Sequence, residues 1–150
     1  MALHATEMTL AIKIDWSAGV VYAGPSAIQV GSSGELFPAI ASLCQSSETT
    51  LQRKVRYRFS RKVSLLGHLA DCVVDVAGKV DSVTLLFERI EFFDARVMES
   101  RIVKAVEANA QARFGNPHPA VALLDSLPWG EARFTYDSKQ GHLNLSLQFK

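Results

Sequence analysis

Six cations crowd into the ten residues "RKVRYRFSRK": Arg53, Lys54, Arg56, Arg58, Arg61 and Lys62. Alternation along a strand sets Lys54, Arg56 and Arg58 on one side and Val55, Tyr57 and Phe59 on the other. Like charges on one face repel, so they require compensation. Two sources could supply it. Asp71 and Asp75, four residues apart on one side of the next segment, could pair with this face from within the chain. An acidic partner could pair with it from outside, and then Lys54, Arg56, Arg58 and Arg61 are the expected partner-binding residues. Tyr57 and Phe59 lie on the opposite side of the strand. That argues against nucleic acid, whose bases stack on aromatic rings beside the charge. The balance of 16 basic and 15 acidic residues, a net charge of +1, argues the same way.

Other chemistry-bearing residues are scattered. Cys44 and Cys72 form no CxxC pair, and His4, His68, His118 and His142 have no metal-ligand spacing, so neither a metal site nor a cofactor is expected. Two reduced, buried thiols are expected, because a disulfide requires a Cβ adjacency that spacing alone does not give. Cys72 lies in an apolar strand, where a thiol is inert, which argues against a nucleophile working with His68. Gly31-Ser32-Ser33-Gly34 could aim N–H groups at an anion but lacks the lysine and spacing of a phosphate loop, so it reads as a turn and helix cap. Glu88, Glu91 and Asp94 stand beside Arg89 and Arg96 and read as a solvated junction rather than an acid–base pair. Trp16 and Trp129 each flank a glycine turn and are expected to be buried. With no catalytic motif, the chain is expected not to be an enzyme.

These residues need elements to hold them. Leu10, Ile12 and Ile14 alternate with Ala11, Lys13 and Asp15 as a half-buried strand, and "VVYAG" is a second strand after a turn. Ile28 and Val30 mark a short third segment. Ser32 or Ser33 caps an expected helix starting near Gly34, with Leu36, Phe37, Ile40 and Leu43 at helical spacing and "QSSETT" ending it. "RKVRYRFS", "HLADCVVDVAG" and "VDSVTLLFER" follow as an antiparallel meander, turning at Gly78-Lys79. A long helix is expected from about Asp94 to Phe114, its stripe running through Met98, Ile102, Ala105, Val106 and Phe114, with Gly115 as its C-terminal stop. "NPHPAVALLDSLPWG" reads as a loop. A final hairpin puts Leu143, Leu145, Leu147 and Phe149 on a core face, so the strand at the end of the sequence is expected to be tied into a ladder.

The expected fold is therefore one α+β domain over residues 1–150. It has a single mainly antiparallel sheet of about six to seven strands built from hairpins, and two helices packed on one face. With 48% hydrophobic and 21% charged residues the chain is globular. It has no secretory signal and no apolar run of membrane-spanning length, so a soluble, cytoplasmic protein is expected.

The layout resembles a known group. An opening hairpin, the "GSSGELFPAI" helix start, "GKVDSVTLLFE", a helix ending "ARFGNP", and "WGEARFTYD" with a last strand are similar to the small α+β immunity proteins of bacterial polymorphic-toxin and interbacterial-competition systems. The resemblance implies a folded surface that binds a cognate toxin domain and neutralises it, with no shared catalytic residues to carry over. Two alternatives remain open: a secretion chaperone or adaptor, and a small ligand-binding domain or enzyme with a pocket between helices and sheet.

Overall fold

Strand-forming patterns dominate the computed structural model, which describes residues 9–33, 43–87, 95–118, 121–137 and 142–150. Twelve strands and one helix occupy those residues, and all twelve strands join one sheet. Strand β1 (Thr9–Asp15) buries Leu10 and Ile12 and exposes Ala11 and Lys13, as its alternation requires. Asp15 ends it. Its carboxylate accepts from the Ser17 hydroxyl at 2.7 Å and from the N–H groups of Ser17 and Ala18 at 3.1 and 3.3 Å. β2 (Val20–Ala23) and β3 (Ser26–Gln29) complete a three-stranded antiparallel arm.

β5 (Val55–Phe59) and β6 (Lys62–Leu65) both run antiparallel to β7 (His68–Ala77), one after the other along the same side of it. β4 (Cys44–Thr49) flanks β5, whereas β1 flanks β6 in a parallel pair. β8 (Lys79–Phe87) lies on the other side of β7, and β12 (His142–Phe149), β11 (Gly130–Asp137), β10 (Val121–Leu127) and β9 (Gly115–His118) extend the sheet beyond it. After β3 the chain returns to β8. The Gly31 N–H donates to Val80 O and the Val80 N–H to Ser32 O, both at 2.8 Å. That closes β3, β2, β1, β6, β7 and β8 into a ring around Leu10, Ile12, Val21, Val63, Leu65, Val74 and Val83, all buried.

Helix α1 (Ala95–Ala110) adds Ile102 and Val106 to the same core, spaced at i and i+4. Phe114 follows it into the core, its ring centroid 5.4 Å from that of Phe134 and its N–H donating to Glu107 Oε2 at 2.8 Å. Trp16 is buried and its indole N–H donates to Asn109 Oδ1 at 2.8 Å, tying the β1–β2 turn to the helix. Trp129 in turn donates to Trp16 O at 2.7 Å and lies flat on Gly19, where any Cβ would overlap the ring.

The expected α+β layout, with six to seven mainly antiparallel strands and two helices on one face, is overturned. The protein is mostly β, with twelve strands in one large mixed sheet and one helix of 16 residues among the described residues. The reason lies in strands that carry no apolar alternation. "CQSSET" is β4, held by backbone pairing to β5 rather than by buried side chains. "VALLDSL" is β10, with Ala122 and Leu124 inward and Val121 and Leu123 half-buried on the other side; with β9 it replaces the expected loop. The first expected helix falls on residues 34–42, outside the described residues, as does its neighbour's capping residue Asp94. α1 stops at Gln111, which takes φ +54° in the C-terminal position expected for Gly115. Leu143, Leu145 and Leu147 are buried as expected, but Phe149 is 40% exposed. It packs on Gly31, with the Lys79 ammonium 5.2 Å from its ring centroid. No helix among the described residues is long and apolar enough to cross a membrane.

Candidate functional site

Backbone register assembles the outer face of the sheet row by row. Paired residues share a side, so Glu48, Arg56, Asp75 and Ser82 form one row across β4, β5, β7 and β8. Arg58, Val73, Thr84 and Ser146 form the next, reaching β12. Here the cationic segment meets its compensation. Arg56 makes a fork–fork pair with Asp75, Nε to Oδ1 at 2.8 Å and Nη2 to Oδ2 at 3.0 Å. That carboxylate, chiefly through its hydrogen bond, raises the Arg56 pKa above the ordinary guanidinium value. Lys54 reaches Asp81 at 2.6 Å, Arg58 reaches Glu48 at 3.2 Å and Lys62 reaches Asp71 at 3.1 Å.

Of the four residues expected to bind a partner, the fold thus gathers Lys54, Arg56 and Arg58 on one side and gives each a carboxylate. Arg61 is apart from them. It sits exposed in the bend between β5 and β6 and has no ion pair among the described residues. At the tip of the β4–β5 hairpin, Leu51 is 99% exposed and Arg53 takes φ +61°, a position that favours glycine.

The other chemical candidates are occupied structurally. Cys72 is buried and burial pushes its thiol pKa far up; Cys44 is half-buried and shifted the same way for the same reason. Both are free thiols. His68 turns its ring edge to Phe87, with centroids 6.5 Å apart. The N–H groups of Gly31 and Ser32 donate to Val80 O and Gln29 O, so they are not aimed at an anion. No group of three or more metal-ligating side chains occurs among the described residues.

Past Asp71 the same face changes. Ala11 pairs with Ser64 and Ser64 with Leu69; Lys13 pairs with Tyr22. Tyr22 is 44% exposed and Leu69 42%. Leu66 is 45% exposed at the β6–β7 turn, where Leu66 and Gly67 take φ +52° and +85°. Two positive φ values make this a two-residue hairpin turn that suits asparagine and glycine, and a leucine there is strained. Tyr22 on β2 and Leu69 on β7 therefore lie on the same outer side, separated by Lys13 and Ala11 on β1 and Ser64 on β6, with Leu66 at the β6–β7 turn. No family model, curated protein or solved structure matches the chain. The surface chemistry carries the functional argument on its own.

This second region was missed in the sequence, although half of its signal was there. If Cys72 and Val74 point inward, then Ala70 does too and Leu69 must point out. What no pattern revealed is that Leu69 stays 42% exposed in the folded sheet.

Proposed function

We propose that this chain acts by binding another protein, and that the immunity role implied by its sequence layout, neutralising a cognate toxin domain, is the form this binding takes. The observation that carries the reading is that three large apolar side chains, Tyr22, Leu66 and Leu69, stay exposed within four consecutive strands of the sheet. Scattered exposed leucines are ordinary, but large apolar side chains grouped on one face lower the free energy of a complex that covers them. The strained Leu66 turn supports the same reading: a bulky residue is held outward at a position that a small polar one would fill more comfortably. The docking face thereby shifts from Lys54, Arg56 and Arg58, whose charges are met within the fold, to the neighbouring apolar half.

Co-purification from the native host tests this, comparing the chain with its Tyr22→Ser, Leu69→Ser variant. One protein held by the first and released by the second is expected, and co-expression with the first should relieve that protein's toxicity. Equal retention of the same proteins by both would sink the docking face. Binding without relief of toxicity would leave a binding protein and remove the immunity role.

A further inference from the structure

Building on that reading, we infer that the partner presents a carboxylate set among apolar side chains, and that this carboxylate pairs with Lys13. Lys13 is exposed on β1, directly across from Tyr22. Along the same side of β1 lies Ala11, which leads through Ser64 to Leu69. Strands lie about 4.8 Å apart, so the four strands from Tyr22 to Leu69 span roughly 14 Å, with Lys13 and small side chains between the large ones. In side-chain height alone the surface is a shallow trough, large at Tyr22 and Leu69 and small at Ala11 and Ser64, with the cation Lys13 between them.

That cation is unpaired among the described residues, although acids are close along the chain. Asp15, two residues on, accepts three hydrogen bonds from its own turn. Asp71, two residues beyond Leu69, is held by Lys62 at 3.1 Å. A docked protein would strip water from the Lys13 ammonium, which is costly unless an opposite charge replaces the water. The trough therefore selects among apolar partners for one with a carboxylate in register.

The same charge argues against a second copy of this chain. A two-fold contact repeats the same patch on both sides. It would bury two lysines against a surface whose one nearby acid among the described residues, Asp15, is held by its own turn, and like charges in an interface oppose it. The chain should stay monomeric where a purely apolar trough would pair with itself.

A displayed library of random peptides, selected on the intact chain, tests this. Peptides bound by the wild type but not by the Tyr22→Ser, Leu69→Ser variant are expected to carry an aspartate or glutamate beside apolar residues. Their affinity should fall roughly tenfold or more against Lys13→Glu and weaken with salt. Selection on Lys13→Glu should return lysine or arginine at the same place. Unchanged melting temperatures of the variants exclude a folding defect. Face-dependent peptides with no acidic preference would overturn the inference and leave the docking face standing. Dimerisation of the wild type through this face, read by sedimentation, would also overturn it. Peptides that bind the double variant equally well would overturn the docking face itself.

Discussion

Along the outer face of β7 the surface changes character between Leu69 and Asp71. Toward Ala77, the cations Lys54, Arg56, Arg58 and Lys62 each find a carboxylate within 2.6–3.2 Å. Toward His68, Lys13 finds none among the described residues and is bordered by Tyr22, Leu66 and Leu69. The first half is crowded with charge and electrostatically closed. The second is sparse and open. Charge density in a sequence therefore says little about binding until the fold shows which counter-charges it returns. An unmet group beside exposed apolar surface is the stronger sign of a partner.

The largest expected effect asks whether the two halves are one unit. Val74 is fully buried on β7, in the core beneath the charged half. Val74→Asp places a carboxylate in the core with no partner and should cost about 4 kcal/mol or more, lowering the transition as a whole. Two separate transitions in chemical denaturation would mean that the halves fold independently.

Next comes the Arg56–Asp75 fork, in which Asp75 is 13% exposed and Arg56 37%. Asp75→Lys should cost about 2–3 kcal/mol, less than a fully buried pair because water reaches the guanidinium. Adding Arg56→Glu should restore part of that. No loss, or no rescue, would show that the charged half is not held by this pair. Arg58→Glu breaks a more exposed contact and should cost under about 1 kcal/mol by the same denaturation measurement.

On the apolar half, Tyr22→Ser with Leu69→Ser should change stability by roughly 0.5 kcal/mol or less, while its effect falls on binding. A large loss of stability would make those side chains part of the scaffold and erase the contrast between the halves. The smallest effect is a pH dependence at Asp15. Hydrogen bonds, chiefly from the Ser17 hydroxyl, lower its pKa below the ordinary aspartate value. Its contribution is present above the unfolded-state pKa and is lost as pH falls through the folded-state value. The stability difference between the wild type and Asp15→Asn should thus shrink below about pH 4 and be absent in stronger acid. A difference that grows on acidification would assign the turn to other groups.

Much of the molecule was legible as local pattern. The two faces of β1, β5, β7, β8 and β12 follow from a side-chain period of two, and the Ile102–Val106 stripe of α1 from a period of 3.6. The cationic cluster was legible too, and so were two of the acids that meet it, Asp75 and Asp71, but not Asp81 or Glu48. What was not legible were the strands made by pairing alone. Cys44–Thr49 is polar along its length, and Gly115–His118 contains Pro117, so neither shows the alternation that marks a half-buried strand. Arg53, Leu66 and Gln111 hold positive φ values where sequence rules expect glycine or asparagine, so three chain reversals lacked their usual marks.

By itself the sequence determined which residues within each segment share a side, because that depends on backbone geometry a few residues long. It also determined that charge would need compensation near β5, because like charges repel wherever they are placed. Only the tertiary structure decided which segments become neighbours, since that rests on contacts between residues far apart in the chain. β1 lies parallel to β6 across 46 residues of intervening sequence (16–61), and no local pattern encodes that register. The same long-range pairing chose Asp75 for Arg56 and gave Lys13 no ion pair among the described residues. It buried Leu147 and left Phe149 half-exposed on Gly31. Whether a side chain is core or surface depends on what the rest of the chain lays over it, and only the folded sheet answers that.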